Sequence, residues 1–175
     1  FLCLYDAIIL LEDILRSPQK RSFVVERDRF KKRVREVFLK DDAEGLLIDG
    51  VDDDGRVDRT VRPNVFLAAY VAPDLLRRSE WRRVCSFYVD RLFTPWGGLT
   101  TIDKENSLFQ PVYTGQDNRS YHRGDVWYFL NNLAAVALVR IDEHGFKEYI
   151  DKIKHASARD ILELGVCGHP SEVSS

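Results

Sequence analysis

The chain has 175 residues, 45% hydrophobic and 31% charged, with a formal net charge of -2, a composition that suits one globular domain with a real core. Acids and bases are interspersed, which leaves no electrostatic footprint for nucleic acid and no basic face for a membrane. The longest apolar runs, such as Ala7 to Leu11, are far too short to span a bilayer, and no basic stretch precedes Phe1-Leu2-Cys3-Leu4 to suggest a secretion signal.

Leu4, Ile8, Leu11 and Leu15 recur at helical spacing, and Ser17-Pro18 stops that helix. A second helix carries Val34, Val37 and Phe38 on one face and Arg and Lys on the other, and its tail runs into Gly45. The basic run Arg29 to Arg35 reads as the solvated face of that helix. Leu46 to Ile48 is short and apolar, and the acidic, Gly-containing stretch after it predicts a small hairpin or an extended loop. Asp49 and Asp52-Asp53-Asp54 invite a calcium reading. An EF-hand loop needs Glu at its twelfth position, and counted from Asp49 or Asp52 that place holds Thr60 or Pro63.

Pro63 suits the first turn of a third helix bearing Val65, Phe66, Ala69 and Tyr70. Ser79 suits the N-cap of a fourth, with Trp81, Val84, Cys85, Tyr88 and Leu92 inward. From Phe93 to Asp125 there is little periodicity. A connection this long in a compact domain is functional or disordered, and Trp96, Phe109, Tyr113 and Tyr121 argue against disorder. A fifth helix begins near Asp125, and a sixth near His144 with Phe146, Tyr149, Ile150 and Ile153 inward. Ser157-Ala158-Arg159-Asp160 predicts the start of a last short helix ending at Gly165. The class is all-α, built of short antiparallel helix pairs and long aromatic-rich loops.

Cys3, Cys85 and Cys167 are odd in number and widely spaced, and no C-x-x-C is present. Reduced thiols in a cytoplasmic protein are the expectation, and neither these residues nor the four His residues stand at metal-ligand spacing. The chain contains no Met, opens inside an apolar periodic run and closes on Ser171-Glu172-Val173-Ser174-Ser175; an N-terminus away from the initiator is expected.

Helix-pair proteins divide into uniform solenoids and toroids with long loops at one end. No repeating unit is present here. The Phe93–Val126 segment has the composition of a carbohydrate-binding loop, in which aromatic planes pack on sugar C–H faces and polar side chains meet the hydroxyls.

Four stretches then carry a resemblance, in order along the chain. They are Asp58-Arg59-Thr60-Val61-Arg62-Pro63-Asn64, Leu92-Phe93-Thr94-Pro95-Trp96-Gly97-Gly98-Leu99-Thr100-Thr101, Tyr113-Thr114-Gly115 through Tyr121-His122-Arg123-Gly124-Asp125-Val126-Trp127, and Gly168-His169-Pro170-Ser171-Glu172. Together they resemble the C-terminal catalytic region of glycogen-debranching amylo-alpha-1,6-glucosidases. The chain departs from that pattern in having Ser120 after Arg119 where Asp is usual, Thr100 where Arg is usual, Asp125 in place of a small or polar residue, and Val173-Ser174-Ser175 after the late Glu.

The resemblance implies the second half of an (α/α)6 barrel, so residues 1–175 form a single partial catalytic domain. It implies inverting glycoside hydrolysis, with two carboxyl groups ~6.5–9.5 Å apart and Glu172 as general base. The family's general acid is an Asp well upstream, without a convincing counterpart here; Asp6 lacks the context. Arg62, Asn64, Thr101, Tyr121, His122, Gly124, Asp125 and Trp127 are the implied substrate-binding residues.

Blander readings stand beside these. Glu172 could be a solvated carboxylate, Trp127 core as readily as sugar platform, Tyr121-His122 a hydrogen-bonded loop pair, and Arg62 and Asn64 caps that pin a loop. The expected partners are an α-glucan or oligosaccharide and the missing N-terminal half of the barrel, with no nucleic acid, membrane, metal or cofactor. A trehalase-like or oligosaccharide glucosidase of the same fold, or a non-catalytic carbohydrate-binding or interaction fragment, are the alternatives.

Overall fold

The structure, a computed structural model, describes residues 1–39, 45–112, 119–164 and 166–174. Tyr113-Thr114-Gly115, part of the third motif, and Gly165, the expected end of the last helix, lie outside the described residues. Among those described there are six α-helices and two small two-stranded sheets. The all-α class holds, and the helix pairs are consistent with part of a helical toroid. No described helix is long and apolar enough to cross a membrane.

Helix α1 (Leu2–Ile14) ends where Arg16 takes a left-handed conformation, φ 52°, and the Ser17 N–H donates to the Glu12 carbonyl at 2.9 Å. Pro18 then cannot continue the helix. Helix α2 (Lys20–Phe38) packs back on α1. It has no fully buried residue, and polar links fix it to the rest: Arg27 bridges Asp6 and Asp74 at 2.5 and 2.6 Å, and Arg35 pairs with Glu80 at 3.0 Å.

Of the hairpin or extended loop expected for the acidic stretch, the structure shows the hairpin. Strands β1 (Gly50–Val51) and β2 (Val57–Asp58) pair antiparallel, with Gly50 opposite Asp58. Helix α3 (Asn64–Val71) follows Pro63. Helix α4 (Arg78–Leu92) starts a little earlier than expected. Arg77 is its N-cap, Ser79 lies inside the first turn, and Glu80 accepts from the Arg77 N–H at 2.7 Å. The Glu80 carboxylate, 6% exposed, thus serves the helix start and Arg35 together, and these hydrogen bonds hold its pKa far below the usual range.

The core sits where α3, α4, α5 (Tyr128–Asp142) and α6 (Lys147–Glu163) meet. Trp81, Val84, Cys85, Tyr88 and Leu92 are buried at i, i+3, i+4 spacing along α4. Burial pushes the Cys85 thiol up to about 12. Two expectations are corrected. The fifth helix begins at Tyr128, because Val126–Trp127 is a strand, β3. The separate helix expected at Ser157 is the last two turns of a continuous α6, in which the buried Asp160 side chain accepts from the Ser171 N–H and hydroxyl instead of serving a new helix start.

The chain end supplies the strand the sequence did not reveal. Strand β4 (Val173–Ser174) pairs antiparallel with β3, Trp127 opposite Val173. Thr100 bridges Val126 on its other side, so three remote segments meet along Val126.

Candidate active site

The described residues of the long segment after α4 are tied by backbone and side-chain hydrogen bonds. At Thr94–Gly98 the turn closes with Thr94 N–H donating to Gly98 O at 2.8 Å. Gly97 has φ 108°, and a Cβ there would collide with the Lys152 carbonyl of α6. Asn131 of α5 accepts from Leu99 N–H at 3.0 Å, and the Thr101 N–H donates to Asp125 O at 3.2 Å.

The stretch from Ser120 to Trp127 folds onto this frame. Gly124 is buried, its N–H donates to Thr101 Oγ1 at 2.9 Å, and a Cβ on it would overlap the Gln110 carbonyl oxygen. Asp125 is fully buried. Its Oδ2 accepts from the Ser120 hydroxyl at 3.1 Å, while Oδ1 has no hydrogen-bond partner among the described residues. Burial pushes its carboxyl above the ordinary aspartate value, against the lowering effect of Ser120.

Arg62 ties the hollow together. Its guanidinium donates to the carbonyls of His122 at 3.1 Å and Thr101 at 3.4 Å, and stands 3.5 Å from Asp49. Asn64 Nδ2 donates to the other Asp49 oxygen at 3.0 Å. Burial raises the Asp49 pKa, opposed by Asn64 and Arg62. Trp127 donates from Nε1 to Tyr121 O at 2.9 Å, and the His122 ring lies nearly parallel to it at 5.5 Å, 17°.

These groups enclose a hollow of about 470 Å3 lined by Arg62, Asn64, Thr101, His122 and Trp127, with Asp49, Pro63, Phe129 and Leu130, a size and mixture that suit a small polar ligand with an apolar face. Five of the expected substrate residues therefore share one wall. Gly124 and Asp125 lie inside the packing of the loop that forms it. Tyr121 and Glu172 adjoin that wall without lining the hollow: the Tyr121 ring is 4.6 Å from Trp127 and 4.9 Å from His122, and its hydroxyl donates to Glu172 Oε1 at 2.8 Å.

Glu172 is exposed and reaches this place through the chain end. Its carbonyl accepts from the Tyr128 N–H at 3.2 Å, β4 follows it, and Ser171 before it is bonded to Asp160. Sequence reasoning missed Asp49, Asp160 and Phe129. Asp49 follows the apolar Leu46–Ile48 run, and that position at the end of a buried segment was its available signal. Asp160 and Phe129 had none beyond helical spacing.

Residues 4–173 match the family model described as amylo-alpha-1,6-glucosidase. No curated protein matches the chain.

Proposed function

Because the chain belongs to the amylo-alpha-1,6-glucosidase family, we propose that it supplies the general base and half of the sugar pocket of an inverting glycosidase that releases glucose from α-1,6 branch points of glycogen or a related α-glucan. The coarser assignment, a glycoside hydrolase of this type, follows from the family; the mechanism and residue roles are our reading. One observation carries them. A carboxylate from the chain end, Glu172, is hydrogen-bonded at 2.8 Å to Tyr121, the residue whose ring contacts His122 and Trp127 in the wall of the hollow.

In this reading Glu172 takes a proton from a water molecule as the water oxygen attacks the anomeric carbon. The bond from that carbon to the departing oxygen breaks, and a carboxylic acid on the opposite face protonates the leaving oxygen. Tyr121 orients Glu172. Arg62, Asn64 and Thr101 serve the sugar hydroxyls, and His122 with Trp127 forms the stacked wall. Gly124 and Asp125 contribute by fixing the loop.

The general acid comes from a segment outside residues 1–175, with the remaining half of the barrel. The apolar side chains that α1 and α5 present to solvent, among them Leu10, Leu11, Ile14 and Val136 at 40–67% exposure, suit the covering such a half would provide. The enzyme works in the cytoplasm.

The test is product analysis by the intact protein. Glycogen limit dextrin should yield glucose, released first as the β-anomer because attack inverts the α-linkage. Hydrolysis of trehalose in preference to limit dextrin would transfer the chain to a different glucosidase class. Glucan binding without turnover would reduce it to a carbohydrate-binding module.

A further inference from the structure

We propose that Asp49 reads the hydroxyls of the bound sugar, its carboxylate accepting hydrogen bonds from one neighbouring pair of ring hydroxyls in the hollow. This rests on the reading of the hollow as the sugar site and adds a binding residue to it.

Asp49 stands at the edge of the hollow with a side chain 17% exposed. It is the one carboxylate among the described residues that line it. The surrounding polar groups are chiefly donors: the Arg62 guanidinium has no acceptor at all, and the Asn64 amide nitrogen already points at Asp49. A sugar brings hydroxyl hydrogens that need acceptors, and a carboxylate takes such bonds more strongly than a neutral group does.

Among the described residues its coordination is half complete. One oxygen receives Asn64 Nδ2 at 3.0 Å and the other faces Arg62 Nε at 3.5 Å, while an ionised carboxylate offers about four lone-pair sites. A partly buried carboxylate with spare acceptor capacity beside apolar Phe129 and Leu130 is costly unless water or a ligand completes it. The two protein contacts fix the plane of the group and leave the remaining acceptor directions for the ligand.

The backbone makes the position firm. Asp49 N–H donates to Asp58 O at 2.9 Å in the hairpin, and two residues earlier Leu47 O accepts from the buried Tyr88 hydroxyl at 2.8 Å. A side chain mounted this way can discriminate between hydroxyl patterns, because a site built to hydrogen-bond a hydroxyl penalises the analogue lacking it.

The experiment measures binding of glucose and of its 2-, 3-, 4- and 6-deoxy analogues to the intact protein and to its Asp49→Asn and Asp49→Ala variants, with thermal melting to verify folding. Asp49→Asn keeps the shape and the hairpin if Asp49→Ala does not. The expectation is a glucose dissociation constant raised roughly tenfold or more in the folded variant. Neighbouring deoxy positions that weaken binding to the parent should no longer weaken it further in the variant. A purely structural Asp49 would leave that discrimination between analogues intact, and such a result overturns the proposal while sparing the sugar site. If the parent protein binds no glucose, the sugar-site reading fails and this proposal fails with it.

Discussion

Asp160 receives two hydrogen bonds from Ser171, one from its backbone N–H and one from its hydroxyl, each at 2.7 Å. Asp160 belongs to α6 and is 7% exposed, and Ser171 is the residue before Glu172. The chain end that carries the proposed base is therefore fastened at two points, by Asp160 on one side and by the β3–β4 pairing on the other.

Asp160→Ala should loosen that segment without disturbing the hollow. Two lost hydrogen bonds cost about 1–3 kcal/mol of stability. A displaced base costs more in rate, so kcat should fall roughly ten- to hundredfold with KM little changed. Steady-state kinetics on limit dextrin check this, and an unaltered kcat would mean that the base needs no such anchor.

Gly124→Ala should be among the most disruptive single methyl additions in the protein. The added carbon would overlap the Gln110 carbonyl in a loop whose N–H is already committed to Thr101. Overpacking of this kind costs about 1–3 kcal/mol, to be read from denaturant unfolding. A neutral substitution would indicate a loop looser than its hydrogen bonds imply.

Asp125→Asn should change how stability responds to pH. The Asp125 carboxyl has its pKa raised by burial, so the native state holds its proton more tightly than the unfolded chain does. Its favourable contribution is fully present below the ordinary aspartate value and is lost as pH rises through the raised one. The parent protein should therefore lose stability across that window, and Asp125→Asn should remove this part of the slope and match or exceed the parent at neutral pH. Melting temperatures measured from acid to neutral pH settle it; a variant that follows the parent slope would show Asp125 to be ionised at no cost.

Leu11→Ala tests whether α1 is covered in the intact protein. Leu11 is 56% exposed in these 175 residues, where truncating it should cost no more than about 0.5 kcal/mol. Beneath another half of a barrel the same change should cost about 2–5 kcal/mol. A near-zero effect in the intact protein would leave α1 a solvent-facing helix.

Much of the helical frame was legible because it depends on local pattern. The inward residues of α4 follow helical spacing through Trp81, Val84, Cys85, Tyr88 and Leu92, and Pro18 and Pro63 mark boundaries by chemistry that acts within one turn. The errors arose where a remote partner decides. Ser157–Asp160 has the residues of a helix start, but Asp160 is claimed by Ser171. Asp125 stands close to a helix start, yet Val126–Trp127 is drawn into a strand by a segment almost fifty residues away.

The site divides in the same way. Arg62, Asn64, Thr101, His122 and Trp127, expected from their motifs to bind substrate, line one hollow. Asp49 was read only within an acidic run, because its partners Arg62 and Asn64 lie across a hairpin whose register the sequence does not disclose. Sequence order could not separate the residues that face the hollow from Gly124 and Asp125, which hold its loop from within.

Glu172→Gln in the intact enzyme is the most direct measurement of the central claim. The amide keeps the shape of the side chain and its contact with Tyr121 but cannot take a proton from water. With Glu172 as general base, kcat for glucose release from limit dextrin should fall by roughly 10^2- to 10^4-fold, with glucose binding and melting temperature close to those of the parent. Hydrolysis at a near-normal rate would contradict the account and remove Glu172 from the mechanism.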